Sequence, residues 1–245
     1  MQSKFKISVI TVTKNSESYL QETIDSLSKQ TYQNFEHIII DGASSDRTLD
    51  IIKKNSNKIT KWISEPDLGL YYAMNKGLSF CTGEIVGILN SDDIYFPDAL
   101  LTVNKYFIKN DIDFLFGSVF KHKLMHGFHP KKIHWTFGFY TTHSVGFFIK
   151  KSSQNKIGPY NTKYKWSADY DNFYKMIVKH KMKGMATKKN EVLGNFRLGG
   201  LSSSIKYIDF LRENNQIRLD NGQTKIVVFI IFFLRLLRNF KRLFR

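Results

Sequence analysis

Apolar residues along this chain recur in two kinds of block, and the two kinds alternate. Short runs rich in apolar residues occupy residues 7–13, 35–40, 59–63 and 85–89. They are too short for packed helices, rich in Ile and Val, and bounded by Gly or polar positions, so they read as buried strands. Between them the spacing becomes helical. Leu20, Ile24 and Leu27 fall at i, i+4 and i+7 behind a capping Asn15 or Ser16. Residues 48–54 and 71–80 follow as helices, each after a turn, at 42–46 and 66–69. Pro97 opens a further helix reaching about residue 109. Strand and helix repeated three times before a fourth strand predicts parallel strands with crossover helices, an α/β domain.

Past that point the pattern loosens. Residues 114–120 and 145–149 read as strands, and Phe173, Met176, Ile177 and His180 as a helix following Asp169. No internal repeat or low-complexity linker interrupts the chain, which predicts one domain over residues 1–222 and a distinct tail over 223–245. In the tail, nine apolar residues at 226–234 fall short of the roughly 20 that span a bilayer as a helix. Phe229, Phe233, Leu236, Leu237, Phe240 and Phe244 share one helical face, and Arg235, Arg238, Lys241, Arg242 and Arg245 lie largely elsewhere. A basic amphipathic helix of this kind suits an anionic membrane surface. The competing expectation is a helix docked on the domain or on another subunit.

Composition sharpens this picture. The chain has 245 residues, 42% hydrophobic, with 21 Phe and 12 Tyr, enough to fill a core and too apolar for a disordered chain. The net charge of +16 is uneven: residues 1–120 carry 12 Lys/Arg against 15 Asp/Glu, whereas residues 121–190 carry 15 against 2. Such a positive half attracts nucleic acid, anionic lipid or a phosphorylated substrate. A lone cysteine, Cys81, excludes an internal disulfide and is expected as a buried thiol in a reducing compartment. The first apolar run contains Ser8 and Thr11 and ends at Lys14, so no secretory leader is expected, and the protein is placed in the cytoplasm.

Candidate chemistry gathers at strand ends. Asp41 follows the second strand, Glu65 and Asp67 the third, and Asp92 with Asp93 the fourth. In open α/β sheets ligands sit beyond the carboxyl ends of the strands. Adjacent carboxylates there repel unless a cation neutralises them, and oxygen ligands suit Mg or Mn. A helix cap or a solvated loop would also account for an isolated Asp-Asp pair. Asp169 and Asp171 are the only acids between residues 121 and 190, hence the only carboxylate bases available in that half. His122, His126, His129 and His134 match no standard zinc spacing and read as a solvated basic surface. Neither a Walker loop nor a G-x-G-x-x-G fingerprint occurs.

Several segments together resemble family 2 glycosyltransferases of the GT-A fold, in particular the bacterial polysaccharide-biosynthesis type. They are Ser8-Val9-Ile10-Thr11-Val12-Thr13-Lys14-Asn15, Ile40-Asp41-Gly42-Ala43-Ser44-Ser45-Asp46, Ser64-Glu65-Pro66-Asp67-Leu68-Gly69, Ala73-Met74-Asn75-Lys76-Gly77, Leu89-Asn90-Ser91-Asp92-Asp93, Ser167-Ala168-Asp169-Tyr170-Asp171 and Gly199-Gly200-Leu201-Ser202. The resemblance implies a Rossmann-like, mostly parallel sheet and an inverting transfer of a sugar from a nucleotide sugar, usually UDP-linked. It implies an acceptor hydroxyl on a glycan or on a sugar carried by a lipid pyrophosphate, at the inner face of the cell membrane. Thr11 and Asp41 would contact the base, and Asp67 the base or ribose. Thr13, Asn15, Gly69, Asn75 and Lys76 would complete the nucleotide-sugar site. Asp92 and Asp93 would serve the Mn or Mg ion and the diphosphate, with Asp93 the direct ligand, and Asp169 would be the general base. Asn90 stands where many members have the first Asp of Asp-x-Asp, Ala168 replaces a frequent Glu, and Tyr72 an Asp. Asn90 also leaves open a degenerate, non-catalytic transferase subunit. A nucleotidyltransferase would share the architecture but usually has a Gly-rich, Arg-containing loop where this chain reads Thr13-Lys14-Asn15-Ser16-Glu17. A non-catalytic nucleic-acid binder would explain the charge but not the acids at three strand ends, so no nucleic-acid partner is expected.

Overall fold

The computed structural model describes residues 5–134, 138–200 and 205–239. Its centre is a seven-stranded sheet. Strand β1 (Ile7–Thr13) lies between β2 (Phe35–Asp41) and β4 (Ile85–Ile88), and β3 (Lys61–Ser64) closes one edge. These four are parallel, and helices α1 (Leu20–Ser28), α2 (Thr48–Lys54) and α3 (Leu70–Phe80) connect them. Every residue of β1 is buried, as expected for a strand covered on both faces. The expected alternation is therefore present, with β3 shifted slightly later than its apolar run.

The second half departs from simple alternation. After β5 (Ile94–Tyr95) and α4 (Ala99–Lys109), the run expected as one strand at 114–120 divides at Gly117. Its first part, β6 (Phe114–Phe116), joins the main sheet, and its second, β7 (Ser118–Phe120), joins a separate four-stranded sheet. The Leu193 side chain packs over Gly117 at this division: a Cβ there would lie 2.0 Å from it, so a larger residue would have to displace the leucine. The small sheet also contains β8 (Leu124–Met125). Strand β9 (Phe147–Lys150) then enters the main sheet antiparallel to both β4 and β6, so the sheet is mostly, not wholly, parallel.

Helices α5 (Lys151–Ile157) and α6 (Ala168–Tyr174) follow, α6 running on as a π-turn over Lys175–Lys179. Strands β10 (Gly184–Ala186) and β11 (Val192–Asn195) complete the two sheets. Two large apolar clusters fill the faces of the main sheet, one built around Phe114, Phe116, Phe147 and Phe173. Cys81 is buried there, and burial pushes its thiol up to about 12.

Helix α7 (Tyr207–Asp220) packs against α6, and α8 (Lys225–Arg238) packs against α7. Arg218 of α7 is fully buried, and its Nε donates to Tyr170 Oη on α6 at 3.0 Å. Only Val228 and Ile231 of α8 are buried. Ile226, Phe229, Ile230, Phe233, Leu234 and Leu237 stand exposed along the opposite side. One face of α8 thus docks on the domain, and an apolar face remains open. The expected face residues Phe240 and Phe244, with Lys241, Arg242 and Arg245, lie outside the described residues, as do Leu201 and Ser202. Among the described residues no helix is long and apolar enough to cross a membrane.

Candidate active site

Strands β1 to β4 run parallel, so their carboxyl ends meet at one edge. Thr13 stands opposite Asp41, and Asp41 opposite Ser64. Asp41 is fully buried; its carboxylate accepts from the Ser44 N–H at 3.1 Å, the Ser64 hydroxyl at 2.6 Å and the Ser44 hydroxyl. Asn15, in left-handed backbone with φ 52°, accepts the Ser45 N–H at 2.9 Å and donates its own N–H to Ser44 Oγ at 2.8 Å. Ser16 Oγ meets Ser91 Oγ at 2.8 Å. The loops after β1, β2 and β4 are thereby tied together. Thr13 Oγ1 is buried at this edge with no hydrogen-bond partner among the described residues.

After β3, Lys76 reaches back from α3 to Glu65 at 2.6 Å and Asp67 Oδ1 at 2.9 Å. The Glu65 hydrogen bond, partly opposed by desolvation, raises the lysine above its ordinary value, so it stays charged. Asp67 Oδ2 is buried with no hydrogen-bond partner among the described residues, close to Gly42. An unmet buried acceptor is costly, and a ligand N–H or hydroxyl would satisfy it. Gly69 then starts α3 with φ 140°, a conformation that side chains rarely adopt.

The acid pair after β4 divides its work. Asp93 is buried; its Oδ1 accepts the Arg197 N–H at 2.8 Å and its Oδ2 the Ser144 hydroxyl. Burial, reinforced by Asp92, pushes its carboxyl up to about 7 despite those bonds. Asp92 is more open, and burial raises it less. Ser144 also accepts the Asn90 N–H at 2.9 Å, and Val145 beside it has φ 67°, an outlier for a β-branched residue. Strain of this kind persists only where surrounding structure fixes it, here beneath the β4 edge. Asn90 Oδ1 is buried with no hydrogen-bond partner among the described residues. Asp92 is the more open of the two carboxylates, of the oxygen-donor type that divalent cations take, and no cluster of three or more His, Cys, Asp or Glu suited to a metal forms among the described residues.

Asp169 begins α6, far along the chain, yet Tyr71 in the first turn of α3 holds it. Tyr71 Oη lies 3.1 Å from both Asp169 Oδ1 and the Trp166 carbonyl. The Tyr170 N–H also donates to Oδ1, at 2.9 Å. Among the described residues no hydrogen bond reaches Oδ2. Burial, with the Asp169 charge second, raises the Tyr71, Tyr140 and Tyr160 phenols, so all three stay neutral beside the carboxylate. Burial also lowers His143, whose Nε2 meets Tyr160 Oη at 2.8 Å, and the Asp169 charge partly offsets this. Asp171, the other acid of this half, is buried against Lys175 at 2.7 Å and bonded by Asn221 at 2.7 Å. It is structural.

Several expectations need correction. Thr11 has no exposed surface, and its hydroxyl meets His37 Nε2 at 2.9 Å inside the sheet, so its side chain cannot touch a base. Asn75 spends its amide on Tyr160, donating to the carbonyl and accepting the N–H, each at 2.8 Å. Lys76 serves Glu65 and Asp67. Asp93 accepts one hydrogen bond on each carboxylate oxygen and is buried, whereas Asp92 is more open. A base contact by Asp41 would require the Ser44 hydroxyl to give way. Sequence reasoning missed Ser144, Tyr71 and Tyr160; only Tyr71 lay beside a matched segment, and nothing in its spacing marked it.

The description "Glycosyl transferase family 2" matches residues 8–179. A PGL/p-HBAD biosynthesis glycosyltransferase of Mycobacterium bovis BCG is 27% identical over 223 residues, covering 84% of this chain and 82% of that protein. The Escherichia coli UDP-Glc:alpha-D-GlcNAc-diphosphoundecaprenol beta-1,3-glucosyltransferase WfgD is 30% identical over 115 residues, 46% of each. Among solved structures, S. aureus TarS 1–349 in complex with UDP-GlcNAc superposes with a TM-score of 0.69 at 20% identity, covering 88% of this chain and 66% of that one. The chain spans 39% of the longer TarS structure. The mannosyltransferase PcManGT of Pyrobaculum calidifontis, with GDP-Man and Mn2+, gives 0.63 at 17% identity, covering 94% and 69%. The family pattern covers well over half of the chain, and the solved neighbours share the architecture of its sheet: the chain belongs to glycosyltransferase family 2 and has the GT-A fold.

Proposed function

We propose that this transferase moves a sugar from a nucleotide diphosphate donor, UDP-linked, to a hydroxyl of a glycan or lipid-carried sugar, with inversion. The observation that supports this most is the Tyr71–Asp169 contact, which ties a carboxylate 98 residues away to the first turn of α3, just after Asp67. Asp67 Oδ2 receives a donor N–H or hydroxyl from the nucleoside. Asp169 Oδ2 takes the proton of the acceptor hydroxyl as its oxygen attacks the anomeric carbon. The bond to the diphosphate breaks on the opposite face, and the nucleotide leaves with the bonding pair. Tyr71 and the Tyr170 N–H stabilise the carboxylate until it accepts the proton. When bound at Asp92, a Mn or Mg ion supplies neutralising charge for the diphosphate. UDP and UDP-GlcNAc in TarS and the lipid diphosphate sugar named for WfgD support the donor and acceptor classes. The exposed face of α8, flanked by Lys225 and Arg238, lies on an anionic membrane surface, which places the enzyme peripherally on the inner leaflet.

The test is thermal unfolding with UDP and Mn. Wild type is stabilised, Asp92→Asn loses the metal-dependent part, and RNA gives no shift. Salt-sensitive RNA binding without any UDP response would contradict the reading.

A further inference from the structure

A groove of about 460 Å³ opens between residues 163–166 and α7, and Trp166 and Arg212 form part of its walls. Trp166 is pinned at its backbone: its N–H donates to Glu213 Oε1 at 2.7 Å, and its carbonyl faces Tyr71 Oη. Glu213 Oε2 also accepts the Lys165 N–H at 2.7 Å. The same Tyr71 oxygen meets Asp169, so the groove wall and the base carboxylate share one contact atom. The indole itself is only partly buried, with Lys165 Nζ 4.6 Å from the ring centroid.

Most charged groups of the groove are already engaged, and the Lys165 ammonium lies over the Trp166 ring. Lys163 pairs with Asp220 at 2.8 Å, Arg212 lies 3.8 Å from Asp209, and Glu213 is spent on two backbone N–H groups. A free phosphate would find no uncommitted cluster of cations. A partly exposed indole with Lys165 over its ring and Arg212, Glu213 and Gln216 along the rim suits a neutral polyhydroxyl ligand, whose apolar C–H face meets the indole while its hydroxyls bond the rim.

We propose that this groove is a second acceptor subsite, binding the sugar next to the one whose hydroxyl Asp169 deprotonates. The proposal rests on the transferase reading above. It makes Trp166 and Arg212 determinants of acceptor length, with no part in donor binding.

The experiment measures transfer by the full chain from UDP-glucose and UDP-GlcNAc to octyl monosaccharide and octyl disaccharide glycosides. Trp166→Ala raises the KM for the disaccharide at least fivefold and for the monosaccharide less than twofold. Thermal stabilisation by UDP stays unchanged, and Trp166→Phe restores most of the affinity. Arg212→Ala, at a side chain 71% exposed, raises the disaccharide KM two- to fivefold and decides the matter if Trp166→Ala does not fold. A wild-type disaccharide KM in both folded variants would overturn the subsite while leaving the transferase intact. No transfer by wild type to any acceptor, with no UDP stabilisation, would overturn the transferase reading and the groove with it.

Discussion

Replacing Asn75 separates two roles that the sequence confounds. The motif places this residue among donor contacts, whereas the structure spends its amide on the backbone of Tyr160, 85 residues away. Asn75→Ala would strand the N–H and carbonyl of a residue only 3% exposed. A buried unsatisfied polar group costs about 1–3 kcal/mol, and water entering the gap recovers part of it, so the net loss is roughly 2–4 kcal/mol. For a domain of this size that lowers the Tm by roughly 5–15 °C. Tyr160 also meets His143 and lies 5.6 Å, ring to ring, from Tyr71, so kcat falls as the surroundings of Asp169 loosen. Urea unfolding reports the first effect and UDP-induced stabilisation the donor site. The expected result is a large loss of stability with an unchanged UDP response per mole bound. A variant as stable as wild type that no longer binds UDP would refute the reasoning and return Asn75 to the donor site.

Glu36 makes a pH prediction. Burial alone would push its carboxyl up, but Lys6, Ser8 and Thr82 together hold it down at about 2. A depressed folded value stabilises above the unfolded value of 4.5 and is lost as pH falls towards 2, so Glu36→Gln costs about 3 kcal/mol at pH 7 and nothing near pH 2 by urea unfolding. At the tail, Phe229→Ser with Phe233→Ser removes two exposed rings, at 68% and 53%. Burying each is worth about 1.5–3 kcal/mol, so sedimentation with anionic vesicles falls tenfold or more while activity on a soluble acceptor persists. Equal sedimentation would leave α8 without a membrane role.

Much of the first half of the fold is legible because parallel strands buried on both faces announce themselves as short runs dense in Ile and Val. The β1, β2 and β4 runs and the helix reading of 71–80 rest on that periodicity. The small sheet was hidden because its strands are two to four residues long and because no turn signal marks the change of sheet at Gly117. The π-turn after α6 left no trace in the pattern either. Residue type placed acids at strand ends but could not show which way each carboxylate points. Asp92 and Asp93 look equivalent in sequence; Ser144 and the Arg197 N–H, 51 and 104 residues from Asp93, distinguish them. Asp169 and Asp171 are likewise separated only by their neighbours, Tyr71 for one and Lys175 for the other.

The most direct test is transfer by Asp169→Asn, assayed beside UDP binding. The amide keeps the shape of the carboxylate and an acceptor for Tyr71 but cannot take a proton from the acceptor hydroxyl. Transfer should fall roughly 10²–10⁴-fold with UDP affinity and folding intact. Transfer within a few-fold of wild type by the folded variant would contradict the assignment of Asp169 as the base.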